Sequence, residues 1–415
     1  MDAAGVPVSA REGSAFGADA FDVVVVGAGI VGLGAALAAV DRGRSVIVVE
    51  RGAAVVGASI RNFGHLCFTP QSGQAREYAL AAREIWLRLA REAGFWIDDT
   101  GTLVAARHPD ELELLRELAE QRSGLPPAER PRGDRAEVEL LDAAEIEARA
   151  ALPAGTTVGG ALLPYDLQVD PRRTAAAIRA YLERRGVEFR LRTSVLRAES
   201  GRVETSRGSI RAGLIVLAVN HDVDQLYPRL AERRAVVRCG LDMLRVRADL
   251  PGRLTGPLLT GWSLIRYSGF TGTPASAAVR ERLHGERPDL AALDLNQMYT
   301  QLPDGSLIVG DSHWKGEAIE PFQSEVAARA FLDEFEELFG VAAEVVERWQ
   351  GVYASAPEEF LVEEVEPGVL LTVVTTGIGM TTGLGLAEHA VGSRLDAGAA
   401  PVGVDTTTLT ESTER

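Results

Sequence analysis

Three glycines and one glutamate near the start of the chain have the types and the spacing that hold a dinucleotide. Gly27, Gly29 and Gly32 follow the pattern G-x-G-x-x-G, and Glu50 comes about 20 residues after that loop. The first glycine permits a tight turn, the second lets the backbone approach a pyrophosphate, and the third lets a helix pack closely. A carboxylate at this distance accepts hydrogen bonds from ribose hydroxyls and disfavours a 2′-phosphate. The residues therefore predict a dinucleotide other than NADP.

The flanking residues predict the strand, helix and strand that such a loop needs. An apolar run covers 21–26, an alanine-rich run extends from 31 to about 42, and a second apolar run over 45–49 leads into the acid. In such a βαβ unit the pyrophosphate meets unpaired N–H groups at the helix N-terminus. We expect Ile30, Val31 and Arg51 to contact the cofactor as well. The alternative is a glycine-rich turn in an α/β core that binds nothing.

A second glycine-rich element lies near the C-terminal end. An apolar run over 369–374 is followed by closely spaced glycines and then by a helix-favouring segment. A helix N-terminus at this place would stabilise the negative charge that a flavin ring gains on reduction, which favours a flavin over NAD. The cofactor contacts predicted here are Gly377, Gly379, Met380, Thr381, Thr382 and Gly383. A surface loop before a terminal helix is the alternative.

Composition excludes several classes of protein. The 415 residues are 46% hydrophobic, which allows two domains or one large interleaved unit. The net charge of −16 argues against partners such as nucleic acid or an anionic membrane surface. Two cysteines, Cys67 and Cys239, cannot build a disulfide framework or a four-cysteine metal site, so we expect a cytoplasmic protein without a metal. No apolar run reaches 18 residues, and residues 1–20 lack the apolar centre of a signal peptide.

The ordered set of motifs resembles the D-amino-acid-oxidase-like family of FAD-dependent oxidoreductases, which includes glycine oxidase and sarcosine oxidase. The motifs are VVVVGAGIVGLGAALAA, the acid Glu50, GALLPYDLQVDPRR, LIVLAVN, LPDGSLIVGDSH and VVTTGIGMTTGLGLAEHA, across about residues 21–395. The resemblance implies bound FAD and hydride transfer from a C–H bond beside an amine nitrogen. Asn220 departs from the pattern, because relatives often end the LIVLAV strand with glycine.

The resemblance also implies the architecture. We expect an α/β fold (α+β overall) in which a discontinuous Rossmann-like FAD-binding domain carries an inserted antiparallel-sheet substrate domain. The predicted ranges are 21–80, 155–230 and 355–398 for the FAD-binding domain and 81–154 and 231–354 for the substrate or cap domain, with a disordered tail at 1–20 and a tail at 399–415.

In this family the flavin ring rests on the loop after the acid. The resemblance therefore implies that Ser59, Asn62, Phe63 and Gly64 contact the cofactor and that Arg61 and His65 face the substrate; Val195 is a further predicted cofactor contact. His65 could instead be a structural histidine or a covalent flavin tether.

The segment ASIRNFGHL, followed by a tryptophan-containing helix, resembles a narrower branch proposed to oxidise aminophosphonates close to 2-aminoethylphosphonate, including N-methylated forms. Carboxylate-binding relatives often carry an arginine just after a W-x-G motif, where this chain has Tyr353. We therefore expect the substrate to be a small amine with an anionic group, and we expect cationic side chains to bind that group. The catalytic candidates are Arg61, His65, Arg245 and Tyr353, and further possible anion ligands are Arg266, His313 and Lys315. For the strand arginines the alternative is a solvated sheet face.

Other functions stay open at this point. An amino-acid oxidase or dehydrogenase of the glycine, sarcosine or D-amino-acid type is the main alternative. A non-catalytic flavin-binding subunit and an NAD-dependent dehydrogenase are weaker ones, and the lack of a C-x-x-C motif argues against a flavin disulfide reductase. Molecular oxygen or an electron carrier would take the electrons, and the protein would be a monomer or a homo-oligomer.

Overall fold

The computed structural model of the protein describes residues 19–397 except 127, 128 and 132. The predicted tails at 1–20 and 399–415 therefore lie, apart from residues 19 and 20, outside the described residues. Within the described ranges, no helix combines the length and the apolar character needed to cross a membrane.

The described residues form strands and helices that alternate along the chain. The strands are β1 (Asp19–Val26), β2 (Val46–Val49), β3 (His65–Leu66), β4 (Ile97–Asp98), β5 (Thr102–Ala106), β6 (Glu139–Leu141), β7 (Gly159–Leu163), β8 (Leu167–Val169), β9 (Glu188–Arg190), β10 (Val195–Glu199), β11 (Arg202–Thr205), β12 (Gly208–Leu217), β13 (Val237–Arg247), β14 (Leu258–Leu259), β15 (Met298–Gln301), β16 (Leu307–Gly316), β17 (Glu344–Glu366) and β18 (Val369–Thr376). The helices are α1 (Ile30–Val40), α2 (Gly73–Ala93), α3 (Pro109–Ser123), α4 (Ala143–Ala150), α5 (Pro171–Arg184), α6 (Val223–Leu226), α7 (Pro228–Arg233), α8 (Gly261–Leu264), α9 (Ser268–Thr271), α10 (Ser276–Glu286), α11 (Pro288–Ala292), α12 (Glu325–Phe339), α13 (Gly379–Ala387) and α14 (Ser393–Asp396).

One continuous sheet joins a parallel part to an antiparallel part. Strands β9, β2, β1, β12 and β18 lie side by side and run parallel. Next to β18 the sheet becomes antiparallel through β17, β13, β16 and β15, and it continues through β14 to β5, β7 and β6. This mixed sheet confirms the predicted fold class, a Rossmann-like part with an antiparallel part attached.

The parallel strands are apolar because helices or other strands cover both of their faces. Val23, Val25 and Val48 pack toward α1 and α2 on one face, whereas Val24 and Ile47 pack toward β10, β11 and α7 on the other. All five valine and isoleucine side chains are completely buried. A parallel strand buried on both faces needs a continuous apolar run rather than an alternating one, which the sequence has at 23–26 and 46–49.

Glycines let three helices, α1, α2 and α13, pack closely against one another. A Cβ atom on Gly385 of α13 would stand 2.0 Å from the carbonyl oxygen of Tyr78 in α2, and one on Gly34 of α1 would stand 3.0 Å from Cβ of Ala387. The indole Nε1 of Trp86 in α2 donates to the carbonyl oxygen of Met380 at 3.0 Å. These contacts fix the first turn of α13 relative to α1 and α2.

Two of the predicted domain boundaries differ from the structure. Helix α2 runs across the boundary predicted at residue 80, because Ala79, Ala82 and Trp86 all pack into the same core as α1 and α13. Strand β7, which the prediction assigned to the FAD-binding domain, pairs with β5 and β6 at the far end of the antiparallel part. The chain therefore first passes from the parallel part to the antiparallel part after α2. The other boundaries stay predictions.

We expect the substitution Gly385→Ala to destabilise the protein, because the new methyl group would overlap the Tyr78 carbonyl and force α2 and α13 apart. Overpacking of this kind costs about 1–3 kcal/mol. The matched control is Gly285→Ala in α10, where nothing lies within 4 Å of the added Cβ and where alanine favours a helix by roughly 0.5–1 kcal/mol. Urea unfolding of both variants should give midpoint shifts of opposite sign. Equal midpoints would contradict the packing described here.

Candidate active site

A cavity of about 360 Å³ opens where the parallel part meets the antiparallel part. Its wall includes the glycine loop at the start of α1, the segment between β2 and α2, the first turn of α13, facing residues of β13, β16, β17 and β18, and the segment over 266–271. The carboxyl ends of β1 and β18 point into it, which is the place where open α/β sheets bind ligands.

At each of the three loop positions, the structure shows why glycine is needed or what its missing Cβ leaves open. Gly27 has a φ of +101°, and a Cβ there would lie 2.5 Å from the carbonyl oxygen of Ala218. A Cβ on Gly32 would lie 1.9 Å from the carbonyl oxygen of Gly27, so the helix could not start where it does. At Gly29 the nearest atom is Ser59 Oγ at 3.2 Å, which leaves one side of the backbone open to the cavity.

Glu50 sits at the end of β2 with both carboxylate oxygens held by the backbone. Its Oε2 accepts from the N–H of Ala28 at 3.0 Å and its Oε1 from the N–H of Gly52 at 2.7 Å. Ser59 Oγ accepts from the N–H of Ile30 at 2.9 Å and ties the later segment to the first turn of α1. These bonds give the loop one defined shape beside the cavity.

Several predicted cofactor contacts lie away from the cavity. Arg51 is mostly exposed and forms an ion pair with Asp222 at 2.7 Å. Val195 starts β10 and pairs with Thr205. Ten of the residues predicted to contact the cofactor line the cavity: Gly29, Ile30, Val31, Ser59, Asn62, Phe63, Gly377, Gly379, Met380 and Thr381. The other predicted contacts support the wall or lie outside it: Gly27, Gly32, Glu50, Arg51, Gly64, Val195, Thr382 and Gly383.

The segment that carries Asn62 is stiff. The Asn62 side chain donates to the carbonyl oxygen of Ala58 and accepts from the N–H of Gly64, both at 2.8 Å. A Cβ on Gly64, whose φ is +69°, would lie 2.0 Å from the carbonyl oxygen of Val169. The carbonyl oxygen of Phe63 accepts from Thr300 Oγ1 at 2.9 Å, which joins the segment to the antiparallel part.

His65, predicted as a cationic ligand for the substrate anion, lines the cavity, but other side chains engage both of its ring nitrogens. Its Nε2 lies 2.6 Å from Thr102 Oγ1 and its Nδ1 lies 3.1 Å from Met298 Sδ. Complete burial lowers the pKa of His65 to about 3, so the ring is neutral at neutral pH. Asp166 Oδ2 is 3.9 Å away, but burial raises the pKa of Asp166 to about 7 and the two groups do not form a strong ion pair.

The first turn of α13 closes the cavity opposite the glycine loop. Gly377 has a φ of +76°, and a Cβ there would lie 3.0 Å from Tyr353 Oη. Thr381 Oγ1 accepts from the N–H of Cys67 at 3.2 Å. Burial raises the pKa of the Cys67 thiol to about 12, so it is an unreactive thiol in the wall.

A second group of side chains comes from the antiparallel part. Arg266 lines the cavity, and its Nη1 donates to the carbonyl oxygen of Asp294 at 3.0 Å and to its Oδ1 at 2.7 Å. Tyr267 and Tyr353 stand near it, and burial raises the pKa of both phenols well above the ordinary value, so both are hydroxyl groups at neutral pH. Arg61 lies at the exposed rim and donates to the carbonyl oxygen of Gln350 at 3.1 Å.

The structure places Arg245 outside the cavity, which corrects its prediction as a site residue. Its Nε donates to Ser306 Oγ at 2.8 Å and its Nη2 to Asp304 Oδ2 at 2.5 Å, with Glu347 also 3.4 Å away. The reason is its position near the far end of β13, beyond Met243, where carboxylates already neutralise it. Lys315 also lies outside the cavity.

Sequence reasoning missed several residues of the wall. They are Tyr267, Asn296, Met298, Asp311 and Glu359, all of which line the cavity. The segment over 309–313, VGDSH, is the sequence signal that lies at Asp311. Within the described ranges, no group of three or more His, Cys, Asp or Glu side chains could hold a metal ion.

The fold and this cavity define a dinucleotide-binding oxidoreductase. The family model described as FAD dependent oxidoreductase (DAO) matches residues 22–392, so the chain belongs to that family and uses FAD. This confirms the family resemblance and removes the NAD dehydrogenase alternative. No curated protein sequence matches the chain.

Solved structures of low sequence identity share the fold over nearly the whole chain. L-proline dehydrogenase from P. horikoshii is 16% identical, with 92% of this chain and 94% of that one covered at a TM-score of 0.73. Glycine oxidase from Geobacillus kaustophilus is 18% identical, with 95% and 100% covered at a TM-score of 0.71. L-alpha-glycerophosphate oxidase from Mycoplasma pneumoniae, with FAD bound, is 15% identical, with 90% and 95% covered at a TM-score of 0.67.

The residues present fit FAD. The open side of Gly29 permits the close approach that a pyrophosphate needs, and the N-terminus of α13 points its free N–H groups into the same cavity. Glu50 keeps carboxylate lone pairs for a ribose hydroxyl beside its two backbone contacts.

We expect Gly29→Val to lose FAD, because the new side chain would fill the open face beside Ser59 and block the pyrophosphate. The visible absorbance of the purified variant reports bound flavin directly. The control is Gly252→Val, where only the Ala151 side chain approaches within 4 Å, at 3.9 Å. A yellow Gly29→Val protein with full occupancy would refute the assignment of this loop to the cofactor.

The buried carboxyl of Asp166 should make stability depend on pH. Because burial raises its pKa from 3.8 to about 7, its contribution is fully present below about pH 4 and is lost as the pH rises to about 7. The substitution Asp166→Asn can keep the bond from the N–H of Thr69 at 2.8 Å and removes this titration. The unfolding free energy of the variant minus that of wild type should therefore be larger at pH 8 than at pH 4, by on the order of 2–4 kcal/mol.

Urea unfolding at the two pH values measures that difference. The control is Asp333→Asn, an exposed carboxylate in α12, which should shift the unfolding free energy equally at both pH values. An Asp166→Asn difference that stays constant with pH would show that the folded protein holds Asp166 ionised.

Proposed function

We propose that this FAD-dependent oxidoreductase oxidises the C–N bond of a small amine that also carries an anionic group. The observation that carries the proposal is the placement of Arg266. Its Nη1 is bonded to Asp294, and the residue lines the cavity together with Tyr267 and Tyr353, whose phenols are neutral. A protein with a net charge of −16 that directs a cation into its cavity is suited to an anionic ligand.

FAD supplies the chemistry of accepting a hydride at its N5 atom. The chain then has to bind the substrate, orient its C–H bond about 3–3.5 Å from that atom, and exclude water. Arg266 would bind the anion, and the two tyrosine hydroxyls would donate hydrogen bonds to it. Leu241 and Met298 provide an apolar wall on the antiparallel side.

Of the possible anions we propose a phosphonate, as in 2-aminoethylphosphonate or an N-methylated form. Arg61 at the rim offers a second guanidinium, and Tyr353 stands where carboxylate-binding relatives often have an arginine. A phosphonate carries more charge than a carboxylate and offers three acceptor oxygens, so it can use two guanidinium groups and the phenols. The products would be an aldehyde and ammonia or methylamine, with oxygen or an electron carrier taking the electrons.

An amino acid is the second candidate. Two of the structural neighbours are named glycine oxidase and proline dehydrogenase, and one guanidinium is enough for a carboxylate. The same fold also belongs to an enzyme named L-alpha-glycerophosphate oxidase, so the fold alone does not decide between amine and alcohol.

The experiment is a panel of aminophosphonates, glycine, sarcosine, D-amino acids and glycerophosphate, read by bleaching of the flavin without oxygen. We expect 2-aminoethylphosphonate or its N-methyl form to bleach the flavin fastest. Faster bleaching by sarcosine or a D-amino acid would overturn the phosphonate and keep amine oxidation. Faster bleaching by glycerophosphate would overturn amine oxidation as well.

The arginines can be tested one at a time. Arg266→Ala and Arg61→Ala should each lower kcat/KM on the best aminophosphonate about ten- to a hundredfold, because each removes a charge-assisted contact worth about 1.5–3 kcal/mol. Arg245→Ala is the matched control, since that side chain is bound to Asp304 and Ser306 outside the cavity, and it should keep kcat/KM within about twofold. All three variants should keep FAD. Normal activity of Arg266→Ala would refute its role as the anion ligand.

A further inference from the structure

We propose that His313, held beside Asp311 in the cavity wall, accepts the proton that the substrate's ammonium group must lose before oxidation. The inference rests on the proposed function and adds a catalytic residue to it. Neither side chain is used by the anion contacts described above, and both line the same cavity as Arg266.

Asp311 is fixed in position by its neighbour Asn296. The two residues exchange backbone hydrogen bonds at 2.7 and 2.8 Å. The Asn296 side chain donates from Nδ2 to Asp311 Oδ1 at 3.1 Å, and its own Oδ1 accepts from Ser263 Oγ at 2.8 Å. The hydroxyl of Ser263 sets the orientation of the amide, so Asp311 Oδ1 receives a hydrogen and Oδ2 remains available toward His313.

The two ring nitrogens of His313 have different partners. Nδ1 lies 3.0 Å from the carbonyl oxygen of Asp294, and because a carbonyl oxygen only accepts, Nδ1 must carry a hydrogen. Nε2 lies 3.3 Å from Asp311 Oδ2. In the neutral ring Nε2 is then a lone pair that faces a carboxylate, and one added proton turns this repulsive contact into a hydrogen bond. Nε2 is therefore the ring atom that can accept a proton, and Asp311 Oδ2 lies within reach of the N–H that would form.

The same backbone oxygen ties this pair to the anion ligand. Asp294 accepts from Arg266 Nη1 and from His313 Nδ1 through its carbonyl oxygen, at 3.0 Å in each case. The guanidinium and the imidazole are therefore neighbours in one wall. A small substrate whose anion meets Arg266 can place its nitrogen beside His313.

The step balances without a further reactant. The substrate ammonium loses one N–H bond, and the proton goes to Nε2 of His313 in the form of the pair that lacks it. Bound FAD would supply the hydride acceptor, so that the electron pair of the C–H bond beside the nitrogen would leave with the hydrogen and the nitrogen lone pair would form the C=N bond. Water adds to that product and releases the aldehyde and the amine.

Other titratable groups of the wall suit this role less well. His65 is completely buried, and burial lowers its pKa to about 3, so its ring is a poor proton acceptor. Tyr267 and Tyr353 are held as neutral phenols by burial. Glu359 also faces the cavity and has no hydrogen bond or ion pair within the described residues, so it is the competing proton acceptor.

The experiment compares His313→Asn with wild type in anaerobic stopped-flow reduction of the bound FAD. Asparagine can keep a donor to the Asp294 carbonyl and has no basic nitrogen. The substrates, both used at pH 9, are 2-aminoethylphosphonate, whose nitrogen is still protonated there, and its 1,1-difluoro analogue, whose fluorines lower the amine pKa so that most of it is uncharged. We expect His313→Asn to reduce its flavin about a hundredfold more slowly with the first substrate and to fall within a few-fold of wild type with the second. Glu359→Gln tests the competing acceptor, and His284→Asn, at an exposed histidine outside the cavity, is the matched control that should resemble wild type with both substrates.

The outcomes separate this inference from the proposed function. Equal rates for His313→Asn and wild type, an equal loss with both substrates, or a loss shown only by Glu359→Gln would each overturn the role of His313. Wild type that no aminophosphonate reduces would instead overturn the proposed substrate. Visible absorbance and the urea midpoint of each variant are measured first, so that loss of FAD or of folding is recognised.

Discussion

The cavity depends on one strand that belongs to both parts of the sheet. Strand β17 is 23 residues long; its first half pairs with β13 and its second half with β18. The irregular pairing between Ser355 and Phe360 bends it where the two parts meet. Asn220, at the end of β12, adopts a φ of +55° and accepts from the N–H of Ala354 at 2.8 Å. Relatives often have glycine there, and asparagine is one of the few other residues that adopt this conformation readily.

Much of the cofactor side could be predicted because its signals are local. The turn at Gly27, the close approach at Gly32 and the buried strands β1 and β2 each follow from a few consecutive residues. The substrate side could not be predicted in the same way. Arg245 and Arg266 are both arginines of the antiparallel part. Arg245 forms ion pairs with Asp304 and Glu347 outside the cavity, whereas Arg266 pairs with Asp294 and lines the cavity, and neither arrangement can be read from the neighbouring residues in the sequence.

Burial decides the charge of the site as strongly as residue type does. Histidine is a residue type that can carry a positive charge near neutral pH. His65, however, is completely buried, and burial lowers its pKa to about 3. Asp166 shares that environment and keeps its proton to about pH 7. The apolar region beneath the cavity thus removes charge from both groups. Positive charge toward the ligand comes instead from Arg266, which keeps a carboxylate partner, and from Arg61, which keeps contact with solvent.

Asp294 is the residue on which the substrate side converges. It follows α11 with a φ of +47°, a conformation that costs a non-glycine residue roughly 1 kcal/mol. This turn directs its carbonyl oxygen toward both Arg266 and His313. Glycine would adopt the turn more easily but would lack the carboxylate that holds Arg266 Nη1 at 2.7 Å. A strained residue that positions two cavity side chains at once is the kind of outlier that functional sites contain. In this protein, therefore, one backbone oxygen holds the side chains of Arg266 and His313 next to each other in the cavity wall.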